Sequence, residues 1–125
     1  MIITPPLWSK FDNTERVIGT WLDTNYLVYE RSFTVTVPTS SIPYATFTAY
    51  QLVSGITGVN FIQIKGSFYY KDGSSYGVLT IPYCDSQNAC VCCFYGTLNN
   101  SIMAVINSTP NVLGQKAELT CWYYK

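Results

Sequence analysis

Few side chains in this 125-residue sequence are of the types that perform catalysis. Histidine is absent, so the commonest general base and the Ser-His and Cys-His nucleophile pairs are excluded. Glycosidases use two carboxylates instead. Asp72 and Asp85 lie at predicted strand ends and could approach each other, but the acids form no recognisable pair. We therefore predict a non-catalytic protein without a cofactor or a metal. The acids are Asp12, Glu15, Asp23, Glu30, Asp72, Asp85 and Glu118.

The cysteines are the second group with possible chemistry, and they are Cys84, Cys90, Cys92, Cys93 and Cys121. Structural zinc sites use separated pairs such as C-x-x-C, which this spacing does not offer. In an extended strand, Cys90 and Cys92 would share one face and Cys93 would point to the other. We predict that all five are free thiols that behave as small hydrophobic side chains, with metal binding or a disulfide as the alternatives.

Aromatic side chains are abundant, with 11 Tyr, 6 Phe and 3 Trp. Adjacent pairs such as Tyr69 and Tyr70 would place one ring on each face of a strand. The outward rings have three interpretations: they cover the second face of a sheet, contact another subunit, or stack on sugar rings.

A sugar offers apolar C–H faces and hydroxyl groups, so a glycan site would combine an exposed aromatic ring with neutral hydrogen-bonding groups. Such combinations are predicted near hairpin ends, where loops meet ligands on a rigid scaffold. The alternative is ordinary sheet covering and turn chemistry. The candidate ligand-binding residues are Tyr69, Tyr70 and Asp72 around the turn at 71–75, and Tyr95 with Asn99 and Asn100.

Charge is unusually low, since charged residues make up 11% of the chain and the net charge is zero. Neutralising phosphates requires clustered Lys and Arg, so nucleic acid is not an expected partner. No apolar run approaches the roughly 18 residues needed to span a bilayer, so membrane insertion is not expected. A neutral polar surface suits side-by-side packing of copies in an assembly, although it also fits a small β-domain with a Thr-rich exterior.

The first residues differ from the remainder of the chain. Pro5 and Pro6 favour an extended path, so residues 1–12 are predicted to be an arm or linker. No basic segment leads into an apolar run there, so we expect no secretory signal peptide and synthesis in the cytoplasm.

Residues 13–125 read as β-structure throughout. Residues 28–37 alternate between apolar and polar side chains, which is the period of a half-buried strand. Arg31 interrupts the apolar face of this strand, so we place it near a strand end or an interface. About eight short strands at regular spacing predict a single all-β domain, an antiparallel two-sheet β-sandwich of jelly-roll-like type. The predicted strands are 16–22, 28–37, 46–53, 61–71, 76–84, 89–98, 102–108 and 117–124. The predicted core residues of this domain are Trp21, Phe33, Val35, Phe61 or Ile62, Ile64 and Leu119.

Residues 13–23, N-T-E-R-V-I-G-T-W-L-D, resemble the opening "S-T-E-E-x-V-V-G-T-W-I-D-G-K-P-L-Y" of C-terminal β-domains in phage and prophage tail proteins. The likeness extends to Tyr29 and residues 31–33, and the last residues, 117–125, resemble the closing strand of that family. It spans most of the chain from about residue 11, although the central region agrees in strand spacing alone. The chain departs from the family at residues 23–26, D-T-N-Y, where the family has a D-G-K-P turn.

This resemblance implies a virion tail component, of which the distal, receptor-binding part of a fibre or baseplate is the leading interpretation. Such a domain would be a homotrimer that contacts other virion proteins and binds a host-surface glycan or protein. A purely structural virion module, such as a head-binding, collar or connecting piece, is the alternative. A lectin-like module of a bacterial secreted protein is a third. The resemblance supplies no binding residue.

Overall fold

The computed structural model describes residues 14–22 and 24–125, and the predicted arm over residues 1–12 lies outside them. This part of the chain contains ten strands and a 3-10 turn at Pro110–Val112. The strands are β1 (Arg16–Thr20), β2 (Leu27–Thr36), β3 (Ile42–Tyr44), β4 (Phe47–Val53), β5 (Asn60–Asp72), β6 (Ser75–Ile81), β7 (Tyr83–Cys84), β8 (Cys90–Gly96), β9 (Ser101–Asn107) and β10 (Lys116–Tyr124).

The strands form two five-stranded antiparallel sheets that pack face to face. The first sheet has the order β1-β2-β10-β5-β6, and the second has the order β3-β4-β9-β8-β7. Strands far apart in the sequence, such as β2 and β10, become neighbours, as in Greek-key sandwiches. The predicted all-β, antiparallel two-sheet sandwich is confirmed.

The number of strands differs from the prediction of about eight. The predicted strand 76–84 is divided, because β6 ends at Ile81 in the first sheet and β7 begins at Tyr83 in the second. Pro82 lies between them and has no N–H to donate to a ladder, so the first sheet ends there. The other missed strand, β3, is only 3 residues long and contains Pro43.

The side chains between the two sheets form one core. Trp21 is an exception among the residues predicted there, because it follows the end of β1 at the edge of the first sheet. It lies half-buried beside Ile62 and Trp122 instead. Ile62 is likewise outside the core, and Phe61 occupies the alternative inward position. The predicted residues that do lie in the core or pack against it are Phe33, Val35, Phe61, Ile64 and Leu119.

Some of the abundant aromatic side chains cover the outer face of the second sheet. Tyr44, at the end of β3, packs its ring 5.1 Å from that of Phe94 on β8, and Phe47 lies 5.7 Å from Phe94. Met103, which points to this outer face between two core residues of β9, is fully buried as a result. The interpretation that outward aromatics cover a second sheet face is therefore correct for this cluster.

Candidate ligand-binding cleft

A cleft of about 280 Å³ lies where the crossover from β6 to β7 meets the segment that follows β9. Two tyrosines from different sheets face it, Tyr70 from β5 and Tyr83 from β7. The remaining lining comes from the loop after β7 and from residues between β9 and β10. The polar members of that lining are Asp85, Gln87, Ser108, Thr109 and Asn111.

Asp85 organises the loop between β7 and β8. Its Oδ1 accepts hydrogen bonds from the backbone N–H groups of Gln87, at 2.8 Å, and Ala89, at 3.1 Å. Its Oδ2 accepts one from the Tyr83 hydroxyl at 3.2 Å. The bonds from Gln87 and Ala89, with a smaller effect of Tyr83, lower the pKa of the Asp85 carboxyl. The same contact with Asp85 raises the pKa of Tyr83, so at neutral pH the cleft presents a carboxylate and a protonated phenol.

Tyr70 forms one wall of the cleft, because its partner in the neighbouring strand is a glycine. Tyr70 pairs directly with Gly77 on β6. A Cβ atom at position 77 would come within 2.5 Å of Cε1 of the Tyr70 ring, so the ring occupies the space above the glycine. A glycine at this position therefore allows the Tyr70 ring to lie across β6 beside the cleft.

Neutral polar groups complete the cleft. In residues 14–22 and 24–125, the side chains of Gln87, Ser108 and Asn111 make no hydrogen bond, ion pair or ring contact. Ser108 adopts φ 55, a left-handed conformation that non-glycine residues occupy uncommonly. These groups can donate to and accept from hydroxyls of a bound molecule.

Among the described residues, Asp85 is the one carboxylate that lines the cleft. Asp72 is exposed at the β5–β6 hairpin and does not join it. The cleft can bind a ligand through rings and hydrogen bonds.

The first predicted set, Tyr69, Tyr70 and Asp72, is divided between surfaces. Only Tyr70 lines the cleft. Tyr69 points to the outer face of the first sheet, where the nearby charge of Glu118 raises the pKa of its hydroxyl. Asp72 pairs with Ser75 at the base of the two-residue loop Gly73-Ser74, in which Gly73 has φ 62.

The second predicted set, Tyr95, Asn99 and Asn100, anchors a loop. The Tyr95 hydroxyl donates to the Ile56 carbonyl, and the Ile56 N–H donates to the Asn100 carbonyl at 2.9 Å. The Tyr95 ring also stacks on Phe61, with centroids 4.6 Å apart. Asn99 Nδ2 lies 3.6 Å from Met103 Sδ. These contacts occupy the Tyr95 hydroxyl and the Asn100 backbone carbonyl, whereas the buried Asn99 Oδ1 has no hydrogen-bond partner among the described residues.

A smaller cavity, of about 210 Å³, lies toward the other end of β5 and contains charged side chains. Arg31 lies there with its guanidinium 4.8 Å from the Phe33 ring centroid, and it occupies the middle of β2, so its predicted place near a strand end is wrong. Lys125 Nζ donates to Glu15 Oε1 at 2.8 Å, and the Tyr123 hydroxyl also donates to this carboxylate. These bonds, the one from Lys125 first, lower the pKa of Glu15. This cavity is therefore lined by charged side chains, of which Glu15 and Lys125 form an ion pair.

Tyr83, Gln87, Ser108 and Asn111 were not predicted from the sequence, and Asp85 was considered only as a possible catalytic acid. The available signal was Pro82, which ends the first-sheet strand, so that β7 begins a new hairpin with β8 in the second sheet. Comparison with protein-family models, curated proteins and solved structures found no match for this chain. No helix in the described residues is long and apolar enough to cross a membrane.

Proposed function

We propose that this chain is a non-catalytic virion tail domain that binds a host-surface glycan in the cleft lined by Tyr70, Tyr83 and Asp85. The observation that carries the proposal is the combination of two tyrosines with three neutral side chains that lack partners in the described structure. The assignment to a virion tail is proposed from the resemblance of both ends of the sequence to phage and prophage tail proteins.

The cleft chemistry matches what a sugar presents. The apolar C–H face of a pyranose ring can lie on a tyrosine ring, and its hydroxyls need donors and acceptors at the edge. Gln87, Ser108 and Asn111 offer neutral groups of both kinds. The Asp85 carboxylate can accept from a further hydroxyl while its backbone bonds keep it in place. Loops on a rigid sandwich are a common location for such sites.

The proposed assembly is a homotrimer that also contacts other virion proteins. An exposed apolar group on and after β1, at one edge of the first sheet, supports a contact between copies. With a net charge of zero, copies repel each other little, and burial of this surface would contribute about 25 cal/mol per Å². The members of the group are Val17, Ile18, Leu22, Tyr26 and Leu27.

Sedimentation equilibrium at micromolar concentration tests the assembly. We expect a mass close to three times the 14.1 kDa of one chain. We expect Val17→Lys to shift the population toward monomer, because the charge would have to be desolvated at the contact. Val78→Lys, at an exposed position on β6, is the matched control and should leave the mass unchanged. A monomer at every concentration would contradict the proposed trimer.

The binding proposal is tested on an array of bacterial surface glycans. We expect Tyr70→Ala to weaken binding at least about tenfold, which corresponds to about 1.4 kcal/mol, because one wall of the cleft is lost. Asn111→Ala, an exposed position, should weaken it with no loss of stability. Tyr76→Ala is the matched control, since this tyrosine is exposed on β6 and does not line the cleft. Binding that survives both Tyr70→Ala and Asn111→Ala would place the site elsewhere.

A further inference from the structure

We infer that Cys84 and Cys90 are a disulfide-forming site that closes the loop at 85–89 covalently under oxidising conditions. The two residues are direct partners in the β7–β8 ladder, and Cys90 Sγ lies 2.6 Å from Cys84 Sγ. All five cysteines are free thiols in the structure, as predicted. For Cys84 and Cys90, we therefore expect free thiols under reducing conditions and a disulfide under oxidising conditions.

The ladder supplies the geometry that a disulfide requires. Opposed residues in an antiparallel pair have Cα atoms about 4.5 or 5.5 Å apart. A disulfide joins Cα atoms that are about 4.4–6.8 Å apart. The thiols of Cys84 and Cys90 already point toward each other, since their sulfur atoms lie 2.6 Å apart. The bond can therefore form without rearrangement of the strands.

The other three thiols are less suited to oxidation. Cys93 faces the space between the sheets, where burial raises its pKa strongly. Burial also raises the pKa of Cys121, to about 12, although nearby Arg31 opposes this. Cys92 shares the outer face with Cys90, as predicted, and also with Cys84, but it pairs across the ladder with Val105 and not with a cysteine. Only one pair is therefore aligned.

A low-molecular-weight disulfide such as oxidised glutathione is the required oxidant. Cys84 is exposed and Cys90 is half-buried, so Cys84 is the thiol that meets the oxidant first. The Cys84 thiolate attacks the glutathione disulfide, forms a mixed disulfide and releases one glutathione thiolate. Cys90 then loses its proton to solvent and attacks Cys84 Sγ, which forms the protein disulfide and releases the second glutathione. Two protein thiols are oxidised as one glutathione disulfide is reduced.

The cross-link would hold the loop that contains Asp85. That loop is closed at present by backbone hydrogen bonds from Asp85 N to Ala89 O, at 3.1 Å, and from Asn88 N to Asp85 O, at 3.2 Å. A disulfide between Cys84 and Cys90 at the base of the loop would make conformations in which these hydrogen bonds are broken less accessible. Slower amide exchange in residues 85–89 is the direct consequence, and it does not depend on whether the cleft binds a glycan.

The test treats the purified full chain with oxidised glutathione and then counts thiols after denaturation. We expect three of the five thiols to remain and a Cys84–Cys90 linkage in peptide mapping by mass spectrometry. Cys90→Ser should stop at the intermediate and carry one glutathione on Cys84. Cys92→Ser is the matched control and should still form the linkage. Five remaining thiols, or a linkage through Cys92, would overturn the inference.

Discussion

Gly66→Ala is expected to lower the free energy of unfolding by about 3 kcal/mol or more, since overpacking against backbone is among the costlier single changes. Gly66 lies on β5 opposite Leu119 of β10. An added Cβ would lie 3.0 Å from the Glu118 carbonyl carbon and from Leu119 Cα, and closer still to the Glu118 carbonyl oxygen. Strand β10 is hydrogen-bonded to β2 on one side and β5 on the other, so its backbone has little freedom to move away. Urea unfolding monitored by circular dichroism measures the loss.

Gly77→Ala provides the matched control for this prediction. Its Cβ would meet the far end of the Tyr70 side chain, which can rotate away, so the free energy of unfolding should stay within about 1 kcal/mol of the wild type. The displaced Tyr70 ring should at the same time weaken glycan binding. If Gly66→Ala lowers the free energy of unfolding no more than Gly77→Ala does, the backbones of β5 and β10 do not approach each other as closely as described.

Phe68→Ala is expected to cost about 3–5 kcal/mol, the usual range for removing a buried phenylalanine ring. Phe68 is 0% exposed and points from β5 into the core between the sheets. Its strand neighbours, Ala117 on one side and Leu79 on the other, are fixed in their own ladders and cannot fill the space left by the ring. The same urea titration measures this loss.

Val78→Ala is the comparison for the core prediction. Val78 is 50% exposed on β6, so its truncation removes little buried surface and should cost under about 1 kcal/mol. A loss from Phe68→Ala that is equally small would mean that β5 presents its opposite face to the core, since a slip of one residue exchanges the two faces.

The fold could be predicted because alternation of apolar and polar residues is a local signal. In β2 this period places Phe33 in the core and Thr34 at the surface, as the structure shows. The same reasoning placed Cys93 on the face opposite Cys90 and Cys92. Pairing between distant strands, such as β2 with β10, leaves no comparable local signal, so the strand order could not be predicted.

The cleft could be predicted only in part, for the same physical reason. Adjacent tyrosines must face opposite ways, but the sequence does not say which of Tyr69 and Tyr70 meets a cavity. The crossover at Pro82 brings Tyr83 and Asp85 beside Tyr70. Ser108, which follows β9, lines the same cleft although it is far from Tyr70 in the sequence. Tyr95 looked like a binding residue because its ring is next to a turn, yet its hydroxyl is used within the fold.

Mapping the bound glycan by NMR tests the central claim most directly. The isotope-labelled domain would be titrated with the oligosaccharide that binds best on the array of bacterial surface glycans. The proposal predicts that shift changes concentrate in residues 85–89 and 108–111 and in the Tyr70 and Tyr83 rings. Changes confined to the cavity of Glu15 and Arg31, or to the Tyr95–Asn100 turn, would contradict it.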